Sequence, residues 1–362
     1  MRMSSPSSSA PSSAEPHSTG SHPTEPHTTR TRRARLPLAA TAAVSALVLG
    51  LSGCAGAPEA SSSASASSSV SKITLTNCGQ KVTLDKPATR GITLNQGATE
   101  DVLAVGMEKS LVGTAYLDGA IPAKWQDAYK SVKVLAKEYP SKETFLAAKP
   151  DVAFASYSSA FTDKDGVGTR EALAKQGIAT YISPFGCPKG TAKADATWDN
   201  VYSELTDVAT LLGKPEAAKS VITAQKAEVA AVEKAQTGKG LKVVWYDSGD
   251  KTPFLGGGTG GPQLILDAAG ATNVFADQKD NWFDGSWEKV VAADPDVIVL
   301  ADASWDTAAQ KIKYLESDPV LKNLRAVKNK SFISLPFSAT TPGAELADGA
   351  KTVSDGLAKI KK

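Results

Sequence analysis

The sequence predicts an α/β protein in which two halves, each built on a parallel sheet with crossover helices, are separated by a long helical stretch. Three observations support this prediction. Short β-rich apolar runs alternate with helical patterns over residues 91–182. Apolar residues at helical spacing then continue without a strand signal from about Asp195 to Leu212. The alternation resumes at Leu241, and such short alternation favours parallel pairing through crossover helices.

The first half begins with a predicted hairpin over 73–84, because strand-forming residues flank the turn sequence Asn77-Cys78-Gly79. Alternating strands and helices follow it. The predicted strands are 91–94, 111–115, 151–155 and 178–182, and the predicted helices are 98–105, 143–148 and 169–176.

In the middle of the chain, Gly213 ends the long helical stretch and Pro215 opens a second helix that runs to about residue 236. The second half then repeats the alternation of the first. Its predicted strands are 241–246, 297–300 and 332–335, and its predicted helices are 262–269, 287–292 and 343 to the end.

Composition excludes several classes of function. Lys and Arg number 40 and Asp and Glu number 38; with the five Arg and two Glu that precede Cys54 set aside, 35 basic and 36 acidic residues remain. Such a near-neutral body is no electrostatic partner for nucleic acid. All three His also precede Cys54. The rest of the chain therefore provides neither a His-ligated metal site nor a His general base.

The amino terminus has the features of an export signal. Residues 1–29 are mostly Ser, Pro, Thr and His, a composition that predicts disorder. A basic cluster at 30–35 precedes an apolar run over 36–51, which is shorter than the roughly 20 residues of a membrane span. The sequence Leu-Ser-Gly-Cys ending at Cys54 then resembles a bacterial lipobox. This resemblance implies cleavage before Cys54, a lipid on its thiol and a flexible tether over 55–71, with a short single-pass anchor as the alternative.

Two further cysteines, Cys78 and Cys187, remain in the compartment that this signal implies, where disulfides persist. A reactive thiol needs an activating neighbour, and the sequence offers neither a His nor another evident candidate. We therefore predict a structural disulfide between them, with a reactive thiol as the alternative.

An internal repeat is the most informative pattern in the body of the chain. Residues 141–152 (SKETFLAAKPDV) align with residues 286–297 (SWEKVVAADPDV). Each copy predicts a Ser cap, a Glu in the first turn, two turns of helix, a Pro-Asp stop and a strand. One copy occurs in each half at the same place in the order of elements, which chance convergence on a well-capped helix explains poorly.

The repeat units, the helix break over 211–218 (LLGKPEAA) and the segment 268–274 (AAGATNV) together resemble the class III, TroA-like solute-binding proteins of ABC importers, the iron-siderophore and cobalamin type. The resemblance covers essentially all of residues 72–362. It implies two lobes joined by one long rigid helix, with the ligand cleft between them. The implied organisation is an extension plus signal peptide over 1–53, a lipid-anchored tether over 54–71, an N-terminal lobe over 72–194, a linking helix over 195–213 and a C-terminal lobe over 214–362.

The resemblance also assigns a role to one acid in each repeat. In the family, a Glu on the outer surface of each lobe pairs with Arg of the permease, and the matching residues are Glu143 and Glu288. Two such carboxylates would fix the register on a two-fold partner. Two solvated acids at helix starts are the alternative.

Residues in the loops after strand ends are the predicted ligand contacts, because these loops face the crevice in such a fold. Aromatic side chains there would stack on a flat or conjugated ligand, although each could instead pack within its own lobe. The same loops carry Asp118, Asp247 and Phe337. The predicted ligand-binding residues are Asn95, Gln96, Thr99, Tyr116, Lys137, Tyr139, Tyr157, Tyr246, Gly257, Gly258, Trp282, Trp287 and Trp305.

Two features limit the choice of ligand. The glycine-rich segment 256–262 precedes a helix, so N–H groups such as those of Gly257 and Gly258 could hold an anion, but it lacks the spacing of nucleotide-hydrolysing or dinucleotide-binding loops. Lys137 occupies the position at which siderophore binders often have a basic residue. A lysine lacks the planar guanidinium group with which arginine binds the oxygens of a chelate. Without His in the body, a bare transition metal is a poor fit.

The predicted ligand is therefore a small organic molecule or chelate of siderophore, corrinoid or haem type. Segments 139–141, 157–161 and 181–184 also resemble an actinobacterial subgroup proposed to import a deazaflavin cofactor precursor, the F420 core, and this phosphorylated ligand is the alternative. We expect a monomeric binder on the outer face of the cell membrane, with no resident cofactor, metal or enzymatic activity. A cluster-bearing enzyme would need more Cys or His than remain, and an adhesion module would lack a buried cleft.

Overall fold

The structure is a computed structural model that describes residues 72–191 and 194–360. The predicted signal sequence, the lipidation site at Cys54 and the tether lie outside these residues. Among the helices of the described ranges, none combines the length and hydropathy that crossing a membrane requires.

The N-terminal lobe consists of a hairpin and a parallel sheet. Its strands are β1 (Ile73–Asn77), β2 (Gln80–Leu84), β3 (Gly91–Leu94), β4 (Leu111–Ala115), β5 (Val134–Ala136), β6 (Val152–Ala155) and β7 (Ala179–Ile182), and its helices are α1 (Gln96–Ala104), α2 (Gln126–Tyr129), α3 (Lys142–Ala147) and α4 (Arg170–Ala174). The hairpin pairs β1 with β2, and the sheet has the parallel order β5–β4–β3–β6–β7. The carboxyl ends of these strands therefore meet at one edge.

Two antiparallel segments connect the lobes: α5 (Trp198–Leu211) and α6 (Ala217–Ala235). In α5, Val201 packs in the C-terminal core and Leu211 in the N-terminal core. Helix α5 thus begins packed against the C-terminal lobe and ends packed against the N-terminal lobe.

The helix that carries the chain from the first lobe to the second is α6. Its Ala218 packs in the N-terminal core, whereas Val229 and Val232 pack in the C-terminal core. The predicted organisation places the linking helix at 195–213 and begins the C-terminal lobe at 214, and this division stays a prediction beside the packing of α5 and α6. The stronger apolar pattern belongs to α5, which is the more completely buried of the two helices.

The C-terminal lobe has a mixed sheet. Its strands are β8 (Lys242–Ser248), β9 (Phe254–Gly256), β10 (Thr272–Asn273), β11 (Trp282–Asp284), β12 (Val297–Asp302) and β13 (Phe332–Pro336), and its helices are α7 (Gly261–Ala269), α8 (Trp287–Ala293), α9 (Ala308–Ser317), α10 (Arg325–Lys328) and α11 (Leu346–Leu357). The order is β11–β9–β8–β12–β13, with β10 also beside β8. The predicted strands β8, β12 and β13 are parallel, as expected. The short β10, which was not predicted, also pairs in parallel with β8, whereas β9 and β11 are antiparallel.

Contacts on the helical side hold the two lobes together. The Asp101 carboxylate accepts a hydrogen bond from the Ala344 N–H over 2.8 Å, and the Gln225 amide donates to the Ala344 carbonyl over 2.9 Å. Lys124 of the first lobe lies 3.5 Å from the Glu345 carboxylate of the second. These contacts fix one relative orientation of the lobes. The predicted two-lobed α/β fold is confirmed.

Candidate functional site

A cleft opens where the carboxyl ends of the two sheets face each other. A cavity of about 300 Å³ is lined by Gln96, Asp118, Gly119, Ala120, Asp302, Ala303, Ser304, Thr307, Pro336, Phe337 and Ser338. A second, of about 480 Å³, is lined by Tyr116, Leu117, Asp118, Val134, Ala136, Lys137, Glu138, Ser304 and Trp305. Asp118 and Ser304 line both cavities, and the Ser304 N–H donates to the Asp118 carbonyl over 3.1 Å. The two lobes therefore contact each other between the two cavities, and residues of both lobes line each cavity.

Polar side chains of the first lobe position the residues at the rim of the cleft. Asn95, directly after β3, donates to the Tyr139 hydroxyl over 3.2 Å and accepts from the Ser156 N–H over 3.2 Å. Gln96 accepts from the Gly119 N–H over 2.7 Å. That bond supports the loop that carries Asp118. Gln96 lines the smaller cavity, whereas Asn95 acts by positioning a tyrosine.

Thr99 does not reach the cleft. Its side chain is fully buried between strands, where its hydroxyl bonds to those of Thr93 and Thr114 over 2.8 Å each. This predicted ligand contact is a structural residue in the conformation described, because α1 turns its position toward the sheet.

Tyrosines form the aromatic wall of the first lobe. The rings of Tyr116 and Tyr139 are 4.7 Å apart, and the Tyr139 hydroxyl is 3.0 Å from that of Ser159. Tyr116 has a positive φ of 59°, an uncommon conformation that a functional site can retain. Burial, followed by the charges of Asp118 and Asp247, raises the pKa of Tyr157. Tyr157 therefore lies near carboxylates of both lobes.

Aromatic side chains of the second lobe face these tyrosines. Trp305 is 51% exposed and meets the Phe337 ring edge to face, with centroids 5.1 Å apart. Phe337 in turn stacks on Trp282, with centroids 6.4 Å apart. Trp305 and Phe337 line the cavities, so Trp282 supports the wall from behind. The exposed side chain of Lys137 lines the larger cavity.

Two predicted aromatic contacts pack inside the second lobe instead. Tyr246 is fully buried and donates to the Gly249 carbonyl over 3.2 Å. Trp287 meets Tyr246 edge to face at 5.0 Å and lies 6.0 Å from Tyr314. Tyr246 is therefore a core residue, and the half-buried Trp287 packs against it, which is the alternative that the sequence left open for each aromatic.

The glycine-rich segment forms hydrogen bonds within the second lobe. The N–H groups of Gly257 and Gly258 donate to the carbonyls of Asn281 and Gln278 over 2.9 and 2.8 Å. Neither group is free to hold an anion. A Cβ atom at Gly257 would lie 2.1 Å from the Asp280 carbonyl oxygen, so glycine permits this close packing.

The charge of an acid in the second lobe, Asp247, acts on the cavity residue Asp118 of the first lobe. Burial raises the pKa of Asp118 to about 7, and the charge of Asp247 contributes to that rise. Burial also raises the pKa of Asp247 to about 6, although a hydrogen bond from Ser248 opposes it. Raised carboxyl pKa values in a cleft are typical of functional sites.

The loop after β12 supplies cavity residues that sequence reasoning missed. Asp302, Ser304 and Thr307 line the smaller cavity. The strand was predicted to end at 300, whereas β12 continues to Asp302. The rule that loops after strand ends face the crevice nominated Trp305 from this loop and applies equally to Ser304 and Thr307.

The two repeat units form equivalent structures. Ser141 and Ser286 cap α3 and α8, accepting from backbone N–H groups over 3.2 and 3.5 Å. Glu143 and Glu288 are exposed in the first turns. A backbone hydrogen bond lowers the pKa of Glu143, and a hydrogen bond from Ser286 lowers that of Glu288. Each lobe thus presents one ionised carboxylate at a matching place.

The equivalence continues beyond these helices. Lys149 and Asp294, directly before the prolines, both have positive φ, of 50° and 42°. Asp151 then accepts from the Arg90 N–H over 2.9 Å. Asp296 similarly accepts from the N–H of Lys242, at the start of β8, over 2.8 Å. In each lobe the Pro-Asp unit therefore ties the repeat to the neighbouring strand.

Cys78 and Cys187 are joined by a disulfide, with their Cα atoms 5.3 Å apart. Cys78 lies in the turn between β1 and β2, and Cys187 follows β7. The bond fastens the hairpin to the edge of the sheet. Within the described ranges, no group of three or more His, Cys, Asp or Glu side chains is placed to hold a metal ion.

Comparison with known proteins agrees with this architecture. Residues 92–339 match the periplasmic binding protein family. A solved structure from Saccharomonospora viridis, titled an ABC-type Fe³⁺-hydroxamate transport system, is 28% identical with a TM-score of 0.67, covering 78% of this chain and 98% of that one.

Curated relatives are more distant. The cobalamin-binding protein of Halobacterium salinarum is 24% identical over 265 residues, 70% of this chain and 65% of the relative. The match therefore spans less than two thirds of that protein. An uncharacterised ABC transporter substrate-binding lipoprotein of Bacillus subtilis is 23% identical over 85% of this chain and 92% of its own length. By its fold, its cleft and its match over residues 92–339, the chain belongs to the periplasmic binding protein family, a family of solute-binding proteins.

Proposed function

We propose that the chain is the solute-binding subunit of an ABC importer, which captures a small organic ligand or metal chelate between its lobes and delivers it to a permease. The observation that carries this proposal is the pair of cavities on either side of the contact between Asp118 and Ser304. Their volumes, about 300 and 480 Å³, lie in the range of small-molecule sites. A ligand in either cavity would contact both lobes. The proposed role includes no enzymatic activity.

The wall chemistry supports an organic ligand with a flat or apolar face. Tyr116 on one side and Trp305 and Phe337 on the other expose rings to the cavities. The relatives named for cobalamin and for ferric hydroxamate indicate the size and class of ligand to test.

A phosphorylated deazaflavin has less support. The N–H groups of Gly257 and Gly258 are already donated within the lobe. Of the residues that line the two cavities, Lys137 is the cationic one, and the carboxylate of Asp118 would repel a phosphate.

The proposal places the protein outside the cytoplasm, anchored by a lipid on Cys54. Glu143 and Glu288 would then dock the permease, since each is exposed and ionised at an equivalent position of its lobe. Charge pairs at such an interface contribute chiefly to orientation and association rate. We propose that the protein acts as a monomer with one cleft.

Thermal-shift measurements on the mature protein test the proposal. The panel contains ferric hydroxamates, cobalamin, haem, the F420 core, zinc and manganese. At a concentration of 100 times its Kd, a ligand of the folded protein stabilises it by about 2.7 kcal/mol. A shift with one organic ligand or chelate supports the proposal. Stabilisation by micromolar zinc or manganese, without a response to any organic compound, would refute it.

A further inference from the structure

Two buried carboxylates belong to opposite lobes, and the charge of Asp247 acts on Asp118. Asp118 follows β4, is 7% exposed and lines both cavities. Asp247 lies near the end of β8 and is 6% exposed, and its charge raises the pKa of Asp118. Buried carboxylates are normally paired with a cation or fully hydrogen-bonded, because burying an unpaired charge is costly.

One carboxylate oxygen of this pair accepts no hydrogen bond from the part of the protein that the structure describes. Ser248 donates to Oδ2 of Asp247 over 2.8 Å, whereas Oδ1 is buried and has no hydrogen-bond donor among the described residues. The charge of Lys311 lowers the pKa of Asp247. Its ammonium group, however, donates to the carbonyls of Ala301, over 2.8 Å, and Asp306. Within the described ranges, Oδ1 of Asp247 therefore lacks a hydrogen-bond donor, which a group on a ligand could supply.

The tyrosine rings near these acids also favour a positively charged group on the ligand. Tyr116 and Tyr139 pack 4.7 Å apart, and the charge of Asp118 raises the pKa of Tyr139 after the larger effect of burial. Both Asp118 and Asp247 raise the pKa of Tyr157, again after burial. The faces of aromatic rings carry negative potential and attract cations. Carboxylates from both lobes and tyrosine rings from the first lobe thus all favour a positively charged ligand group.

We propose that the cleft binds its ligand through a cationic nitrogen, an ammonium or guanidinium group, held between Asp118 and Asp247 beside the rings of Tyr116, Tyr139 and Tyr157. This inference rests on the proposed function and specifies which solutes the same cleft selects. A cationic nitrogen offers donors to both carboxylates and removes their mutual repulsion. A phosphate or a propionate can do neither. The cleft therefore selects amine-bearing organic molecules or chelates over neutral and anionic analogues of the same shape.

This arrangement makes binding depend on pH. The pKa of Asp118 is about 7 and that of Asp247 about 6, both raised first by burial. A cation binds the ionised carboxylates, so its affinity rises as pH increases from 5 to 8, whereas a neutral analogue gains nothing. Other charged or titratable groups lie around this pair. Those that act on it or on its neighbouring tyrosines include Lys311, Asp306, Tyr116, Tyr139, Tyr157 and Tyr246, and those that share a cavity wall with Asp118 are Lys137, Glu138 and Asp302.

The test uses two probes that differ in one charge. Ferrioxamine B is a ferric trihydroxamate with a free ammonium group, and its N-acetyl derivative is neutral. Isothermal titration of the mature protein at pH 7.5 is expected to show at least tenfold tighter binding of the ammonium form. This preference should fall about tenfold at pH 5. Asp118→Asn and Asp247→Asn should each bring the ratio of the two affinities close to one, whereas Asp163→Asn, at an exposed carboxylate, should retain the preference.

The remaining results of this titration also decide for or against the inference. Equal affinity for the two probes would overturn the inference and leave the proposed function intact. If neither chelate binds, n-butylammonium and n-butanol replace them. Backbone NMR shifts at Tyr116 and Asp247 with butylammonium alone, abolished by Asp118→Asn, support the inference, and their absence overturns it.

The variants without ligand provide a second measurement. Asp247→Asn removes a buried charge whose Oδ1 has no donor among the residues described, and Asp118→Asn removes a buried charge that Asp247 repels, so both variants should melt higher than the wild type at pH 8. A lower melting temperature, or failure to fold, would show that the carboxylates stabilise the fold itself and would overturn the inference.

Discussion

The backbone N–H of Ser304, in the second lobe, donates to the carbonyl of Asp118, in the first, over 3.1 Å. Both residues line both cavities. The Asp118 loop is supported in turn by the bond between Gln96 and Gly119. One inter-lobe contact is therefore shared by the surfaces that would hold a ligand, and cleft geometry and ligand binding depend on the same loop.

Trp305 and Trp287 should separate ligand binding from folding. Trp305 is half exposed and lines the larger cavity, so Trp305→Ala should weaken ligand binding by about 0.5 to 1.5 kcal/mol or more with little change in melting temperature. Trp287 packs against Tyr246, so Trp287→Ala should lower the melting temperature and leave affinity nearly unchanged. Calorimetric titration and thermal melts of both variants give the two readouts. Reversed effects would place the ligand elsewhere.

Docking through the repeat acids predicts a loss of uptake without a loss of binding. Glu143→Ala combined with Glu288→Ala should abolish transport in cells while ligand affinity of the purified protein stays within about a factor of two, because each close charge pair across an interface couples by about 1.5 kcal/mol or more.

Glu171→Ala is the matched control, since Glu171 is also an exposed acid in the first turn of a helix, α4, outside the repeats. It should leave uptake unchanged. A large loss of ligand affinity in the double variant would contradict the docking role.

The disulfide should contribute substantially to stability. Cys78 and Cys187 are 109 residues apart in sequence, and closing a loop of that size stabilises a protein by about 2 to 5 kcal/mol. Replacing both by Ser should lower the free energy of unfolding by that amount, measured by denaturant titration. Peptide mapping of alkylated, non-reduced exported protein should find neither thiol modified; labelled Cys78 and Cys187 would show that the bond is absent.

Glu100 makes stability depend on pH. It is 1% exposed; burial and then the charge of Glu345 raise its pKa from 4.5 to about 9, against the opposing hydrogen bond from Gln96. The folded protein therefore retains a proton that the unfolded chain releases above pH 4.5. Its contribution to stability is complete below that pH and is lost as pH rises toward 9.

Glu100→Gln cannot ionise and keeps a hydrogen-bonding partner for Gln96. It should reduce the fall in melting temperature between pH 5 and 9 and raise stability at pH 8 by about 1 to 3 kcal/mol. Glu316→Gln, at an exposed carboxylate, should follow the wild type. An unchanged pH profile for Glu100→Gln would show that Glu100 is ionised in the folded protein.

Local signals predicted the parts of the fold that local chemistry determines. The Asn77-Cys78-Gly79 turn, the Ser caps of α3 and α8 and the Pro-Asp stops occur as expected, because caps and turns satisfy backbone groups within a few residues. Helix α9 was missed because Lys311, fully buried on its core face, interrupts the apolar period. Strands β9 and β11 are too short to show an alternating pattern.

The site was predictable only as a set of loops. The position after a strand end nominated Tyr116 and Lys137, which line the larger cavity, but it gave Tyr246 and Trp305 equal standing. Which ring faces the cleft depends on tertiary packing: Tyr246 fills the core beneath Trp287, whereas Trp305 is held out by Phe337. Periodicity carries no information about such contacts between distant segments.

Filling the smaller cavity tests most directly whether the ligand lies between the lobes. Ala120 is exposed on its wall, so Ala120→Trp should occupy much of the 300 Å³ without disturbing either core. Calorimetric titration with whichever organic ligand stabilises the wild type should show affinity at least tenfold weaker in the variant, at an unchanged melting temperature of the free protein. Wild-type affinity in Ala120→Trp would contradict binding at this site.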